Sequence, residues 1–306
     1  MKISIIGAGN VGSTAALRLI QEGFADIALI DVVKGLAQGK ALDLEDAQAL
    51  VKYNFKIEGS DDINIIRGSG IIVITAGLAR KPGMSREELL QKNSQILKDI
   101  LLNVKKLTAE AIVIIVTNPL DIMTYFASKA LGYPKQRVFG MGVSLDASRF
   151  ANLISKELNI PVTDIEPIVI GSHGEGMLPL ARFTKVKGVS LDELLDDKKI
   201  EVLVNKTINR GAEIVSLLGS GSAYFAPSAA ITSIVRAIAK DEKRTIGCSA
   251  MLSGEYGLKD VCMGLPCRIG KGGIEQVVEL ELSKEEKEKL ITSAEKIKAQ
   301  YKELPL

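Results

Sequence analysis

The chain of 306 residues has one histidine, no tryptophan and three cysteines, and aromatic side chains make up only 4% of it. Each shortage excludes something. A single histidine, His173, rules out a multi-histidine metal site, and Cys248, Cys262 and Cys267 form neither a CxxC pair nor a Cys/His cluster for zinc. Those cysteines are too few for a disulfide scaffold and read as small buried hydrophobes. Scarce aromatics remove the stacking platforms of a single-strand nucleic-acid binder. With 39 basic and 37 acidic side chains the formal charge is +2, which gives no basic field for nucleic acid or an anionic membrane. No apolar run approaches the ~18–20 residues of a membrane span. The opening MKISIIGAGNVG passes quickly from apolar residues to glycines and reads as a first strand rather than a secretory signal. The expectation is a cytoplasmic protein with no membrane, nucleic-acid or metal partner.

What is present is an ordinary globular composition, 46% hydrophobic and 25% charged. The first half alternates short apolar runs with amphipathic stretches. Strands are predicted over 2–6, 27–31, 70–76, 111–118 and 137–140, and helices over 11–21, 40–50, 86–104, 122–131 and 144–159. Runs such as GIIVITA and AIVIIVTN are apolar at every position, as in strands buried on both faces of a parallel sheet. The prediction is an α/β doubly wound (Rossmann) domain over residues 1–143. After it the pattern changes. Strands are predicted over 165–170, 180–186, 245–252 and 276–282, and helices over 200–218, 227–240 and 284–303, which suggests a C-terminal α+β substrate-binding and catalytic domain over 144–306. No Pro/Gly/Ser-rich linker separates the halves, so a shared interface with a ligand cleft is expected.

Gly7-Ala8-Gly9-Asn10-Val11-Gly12 is a GxGxxG sequence between a strand and a helix, and Asp31 ends the next strand 19 residues after Gly12. In that context the glycines permit a tight turn, close approach of a pyrophosphate and close helix–strand packing. The helix N-terminus offers free N–H groups to the phosphates. Asp31 suits ribose hydroxyls and repels a 2′-phosphate, favouring NAD over NADP, with Lys34 nearby leaving room for minor NADP use.

Several polar residues stand where ligands bind in α/β sheets. Arg80 and Arg86 flank ARKPGMSR, a loop directly after a buried strand. Arg149 lies three residues after Asp146 in SLDASRF, on the same helical face. Asn118 ends a buried strand before Pro119, and His173 sits between glycines in GSHGEG.

GAGNVG, AGLARKPGMSR, VTNPLD, LDASRF and GSHGEG, in this order and spacing, resemble the lactate/malate dehydrogenase family through nearly the whole chain. GSAYFAPSAA is similar to a segment that lines the family's substrate pocket. The resemblance implies an NAD-dependent oxidoreductase acting on a small 2-hydroxy acid. It makes His173 the proton-transfer group, with Asp146 fixing its tautomer, Arg149 binding the substrate's C1 carboxylate and Arg86 polarising the reacting carbonyl. Asn118 is implied to hydrogen-bond near the reacting oxygen and the nicotinamide ribose, and Asn93, Val116 and Thr117 to lie beside the cofactor. It also implies a homo-oligomer, a tetramer or alternatively a dimer.

In this family a glutamine matching Arg80 goes with lactate and an arginine with malate and oxaloacetate. The physics agrees. Burying the second carboxylate of oxaloacetate without a cation costs several kcal/mol. Pyruvate would instead leave Arg80 unpaired, at about 3–5 kcal/mol, or roughly a 10²–10³-fold preference. The loop over 78–86 is expected to close on the diacid. The rival expectations are a lactate or other 2-hydroxyacid dehydrogenase, an NAD-binding sensor without catalysis, and, more distantly, a nicotinamide-dependent glycosidase. Arg80→Gln is predicted to shift the ratio of catalytic efficiencies toward pyruvate by about 10²-fold or more. An unchanged oxaloacetate-to-pyruvate ratio contradicts the charge-pairing argument.

Overall fold

The structure, a computed structural model, describes the chain except for Phe24, Tyr53, residues 79–83, Glu175 and Leu306, and the side chain of Arg86. The first half runs β1 (Lys2–Ile6), α1 (Asn10–Glu22), β2 (Asp26–Ile30), α2 (Leu36–Asp46), α3 (Gln48–Val51) and β3 (Ile57–Ser60). It continues with β4 (Ile71–Ile74), α4 (Arg86–Leu107), β5 (Ile112–Ile115), α5 (Leu120–Leu131) and β6 (Val138–Gly140). The strands pair in parallel in the order β3-β2-β1-β4-β5-β6. Every residue of β4, β5 and β6 is buried, as strands covered by helices on both faces must be. The doubly wound expectation is met.

The second half contributes α6 (Ser144–Leu158), β7 (Ile165–Glu166), β8 (Val169–Gly171), β9 (Met177–Pro179), β10 (Lys185–Val186), β11 (Val189–Ser190) and α7 (Leu191–Leu194). Then follow α8 (Asp197–Leu218), α9 (Phe225–Ala239), β12 (Arg244–Ser253), β13 (Lys259–Gly270), β14 (Gly273–Val277) and α10 (Lys284–Ala299). Antiparallel β12, β13, β8 and β9 extend the large sheet past β6 through a Ser249–Gly140 pairing, and β14 pairs with β13. β7, β10 and β11 form a separate small sheet.

Four expectations need correction. The helix expected over 40–50 begins earlier, at Leu36, and α2 and α3 are separated at Ala47. The strand expected over 165–170 is two strands in two sheets, because Pro167 removes a ladder donor between them. Of 180–186 only Lys185–Val186 is strand (β10), and Ala181–Phe183 form a turn of 3₁₀ helix, since the Leu180 carbonyl accepts from Phe183 and Thr184 N–H. The strand expected over 276–282 lies earlier, as β14. The long β13 was not anticipated. Its interior Gly264 and Pro266 read as turn formers.

Local rules explain the element ends that matter for the site. α4 starts at a capping box in which Ser85 Oγ accepts from Glu88 N–H and Glu88 returns a bond to Ser85 N–H, both at 3.0 Å. Glu87 and Glu88 sit in its first turn and Lys105 and Lys106 in its last, which suits the helix dipole. α1 buries Gly12, Ala15, Ala16, Leu19 and Ile20 and stops at left-handed Gly23. The three cysteines are free and buried. Among the described residues no helix is long and apolar enough to cross a membrane.

Gly12 is where helix and strand approach most closely. A Cβ there would overlap the carbonyl oxygen of Gly7 and lie 3.0 Å from Thr75 Oγ1. Gly12→Ala is therefore predicted to displace the start of α1 and cost about 1–3 kcal/mol. Urea denaturation checks this, and wild-type stability in the variant contradicts the close-packing account.

Candidate active site

Parallel strands deliver their following loops to one end of the sheet, and the strand order reverses between β1 and β4, the place where open α/β sheets bind ligands. The site is assembled there. Gly7 leaves β1 with φ +111°, a conformation only glycine adopts freely, and its N–H donates to Ile30 O at 2.7 Å. Gly9 caps α1 with no side-chain bond, the first turn holds no acid, and a Cβ added at Gly9 would face open space. The N–H groups of Asn10 and Val11 thus begin a helix whose positive end is uncapped.

Asp31 follows β2 and ties itself to this loop. Its Oδ2 accepts from Ala8 N–H at 2.7 Å and its Oδ1 from Val33 N–H at 3.0 Å. A carboxylate has about four acceptor positions, so two remain for ribose hydroxyls. Lys34 is exposed beside it. Lys40, not anticipated from the sequence, donates from Nζ to Ala8 O at 2.6 Å and braces the loop from α2. An uncapped helix start, a glycine facing open space and an acid at the second strand's end fit a dinucleotide.

The ends of β4 and β5 are joined by one buried amide. Asn93 of α4 accepts from Leu78 N–H at 2.7 Å, and its Nδ2 donates to Leu78 O at 3.2 Å and to Asn118 O at 2.7 Å. Thr117 Oγ1 donates to Ala76 O at 2.6 Å, so its hydroxyl clamps neighbouring strand ends. Val116 is half-buried. Asn118 is exposed and precedes a cis peptide bond to Pro119. Arg80 lies outside the described residues, as does most of the loop expected to close. Arg86 is the first residue of α4, with its side chain outside the description.

Beyond the parallel strands, α6 follows β6 and carries Asp146 and Arg149. The Asp146 side chain is fully buried, its Oδ2 lies 2.7 Å from His173 Nδ1, and its Oδ1 accepts from Arg149 Nη1 at 3.1 Å. One carboxylate thus holds two groups that the sequence separates by 24 residues. An ionised carboxylate only accepts, so Nδ1 carries the proton and Nε2 keeps the lone pair in the neutral ring. Burial works against a charged imidazole, but the charge and hydrogen bond of Asp146, helped by Asp121 and opposed by Arg149, raise the His173 pKa above its ordinary 6.5. Burial likewise pulls the Arg149 guanidinium below its ordinary value, against the pull of Asp146. It remains a cation. Its Nε is buried without a hydrogen-bond partner among the described residues, a donor left over for an anion. Gly211 of α8 packs beside the guanidinium, and a Cβ there would sit in ordinary contact with its nitrogens at 3.5–3.7 Å.

Besides Lys40, two residues at the site, Asp121 and Ser249, escaped the sequence reading. Asp121, in the first turn of α5, accepts from His173 N–H at 2.8 Å and from Ser249 Oγ at 2.6 Å. It stands inside VTNPLD, already singled out for Asn118, but its partners are remote in the chain. Residues 221–230, expected at the substrate pocket, enter and begin α9, where Ser228 is buried and accepts from Arg18 Nε at 3.1 Å.

Comparison with known proteins gives the family of the chain. Residues 1–140 match the family model "lactate/malate dehydrogenase, NAD binding domain", and residues 143–304 match "lactate/malate dehydrogenase, alpha/beta C-terminal domain". The chain belongs to the lactate/malate dehydrogenase family. It is 48% identical to a malate dehydrogenase of Chlorobium chlorochromatii over 99% of this chain and 98% of that one. It is 49% identical to that of Methanosarcina mazei over 97% of each chain. Among solved structures, Cryptosporidium parvum malate dehydrogenase superposes with a TM-score of 0.96 at 39% identity, covering 99% of this chain and 98% of that one. A lactate dehydrogenase of the same organism, complexed with lactic acid and the dinucleotide, gives 0.95 at 37% identity, covering 99% and 97%. The family membership makes the chain an oxidoreductase with an NAD-binding domain.

Asn93→Ala removes the amide that pairs three backbone groups between the strand ends. The predicted cost is about 1–3 kcal/mol, read by urea denaturation. An unchanged midpoint contradicts the bridging role.

Proposed function

We propose that the chain catalyses the reversible oxidation of (S)-malate to oxaloacetate with NAD, using His173 as the proton-transfer group. The observation that carries the site assignment is the Asp146 carboxylate bound to both His173 and Arg149, with a buried Arg149 donor to spare. In malate oxidation His173 Nε2 takes the proton of the C2 hydroxyl, and Asp146 stabilises the imidazolium that results. Bound NAD would supply the acceptor for the hydride from C2. In the reverse direction the imidazolium returns its proton to the carbonyl oxygen. Arg149 holds the C1 carboxylate through a fork that lysine lacks, and Arg86 stabilises negative charge developing on the reacting oxygen. Arg80 pairs with the second carboxylate and so selects the diacid over lactate.

Gly7, Ala8, Gly9, Asn10, Val11, Gly12 and Asp31 hold the adenosine and pyrophosphate, while Asn93, Val116, Thr117 and Asn118 border the nicotinamide. The domain division falls at 143/144. The same reading includes a homotetramer, with a dimer as alternative, supported by exposed Leu42, Leu50, Leu217 and Phe225 on the single chain. It also includes a cytoplasmic setting, supported by three free thiols.

The test follows loss of reduced nicotinamide with oxaloacetate, pyruvate and 2-oxoglutarate, using NADH and NADPH in turn. Oxaloacetate with NADH is expected to be preferred. Preference for pyruvate identifies a lactate dehydrogenase instead, and binding of NADH without turnover identifies a sensor.

The raised His173 pKa fixes the sign of the pH dependence. Malate oxidation needs the neutral ring, so kcat/KM is predicted to rise with pH through a limb above 6.5, and oxaloacetate reduction to fall through the same limb. Asp146→Asn is predicted to lower kcat by about 10²–10⁴-fold and move the limb to lower pH. A limb that stays put contradicts the Asp146–imidazole coupling.

A further inference from the structure

The acid behind the His173 main chain has no evident structural need to be charged. Asp121 is 5% exposed, and among the described residues no lysine or arginine nitrogen lies within ion-pair distance of it. Its two bonds, from His173 N–H and from the Ser249 hydroxyl, are ones an asparagine also makes, since the serine hydroxyl can turn to accept from an amide. A buried carboxylate without a cation is costly, and the position it occupies is one residue's backbone away from the imidazole.

The groups facing Asp121 are few. His173 comes from the loop after β8, and Asp146 stands beyond it on α6 with Arg149 on its far oxygen. Ser249 comes from β12, Cys262 from β13 and Tyr301 from the chain after α10. Among the described residues, the group able to carry positive charge that acts on Asp121 is the imidazole itself.

We propose that Asp121 is a second positioning residue for His173: its carboxylate pins the histidine main chain and adds a negative charge that favours the imidazolium alongside Asp146. This rests on His173 being the proton-transfer group. Burial raises the Asp121 pKa to about 6, against the lowering effects of Ser249, the His173 N–H and the imidazole charge, while Asp146 raises it further. At that value Asp121 is ionised across the pH range in which an imidazole raised above 6.5 titrates. The two groups titrate as a coupled pair.

Asp121→Asn keeps the shape and both hydrogen bonds but removes the charge. The expected result is a normal fold, a malate KM within about twofold of wild type, and a kcat/KM limb moved to lower pH by a few tenths to one unit. Oxaloacetate reduction at pH 7.5 is expected to fall severalfold, because fewer imidazoles carry a proton. Asp121→Ala, which also orphans His173 N–H, is expected to lose kcat as well as stability. If Asp121→Asn has the wild-type limb and rates, the charge has no role and the proposal is overturned. If that variant does not fold, Ser249→Ala replaces it. Losing the hydroxyl disfavours ionised Asp121, so the limb shifts in the same direction by less, and an unmoved limb overturns the proposal. His173→Gln, assayed alongside, separates the two inferences: wild-type turnover there defeats the role of His173 itself, whatever Asp121 does.

Discussion

One buried carboxylate organises the chemistry of this protein. Asp146 has no exposed surface, and its two oxygens are committed to His173 and Arg149. A lone buried acid is costly, and the cation Arg149 offsets part of that. The same bond holds the guanidinium in place while its Nε has no hydrogen-bond partner among the described residues. The other oxygen sets the tautomer of the histidine and lifts its pKa. Proton transfer and carboxylate binding are therefore two consequences of one placement, and neither group can move without disturbing the other.

The fold explains how that placement arises. Parallel strands send the glycine loop, the Asn93-bridged strand ends and α6 to a single edge, and the antiparallel extension through β12, β13 and β8 returns the chain to that edge from the other side. The Ser249–Gly140 pairing joins the two parts of the sheet, and the same Ser249 hydroxyl reaches Asp121. Continuity of the sheet and alignment of the histidine thus share a residue.

The first half was open to sequence reading because burial on both faces leaves a simple trace, uninterrupted Ile and Val between amphipathic helices. The glycine loop had a full strand–loop–helix context, so Gly12 could be assigned its packing role directly. The second half was harder. β13 hides Gly264 and Pro266 in a strand, and Pro167 divides one apolar run between two sheets. At the site, Asp146 and Arg149 were visible as a helical pair and His173 as a loop histidine, but their meeting is a tertiary fact. Asp121, Ser249 and Lys40 were missed because their roles depend on partners 32 to 128 residues away. Asp31 was expected to face only a ribose, and it also fixes the Ala8 N–H.

The presence of one histidine makes the central claim directly measurable. A ¹⁵N-labelled sample gives a single imidazole whose two nitrogens report tautomer and protonation through a pH titration. The account predicts a neutral ring protonated at Nδ1 and a pKa above 6.5. A neutral ring protonated at Nε2, or a pKa at or below 6.5, contradicts it.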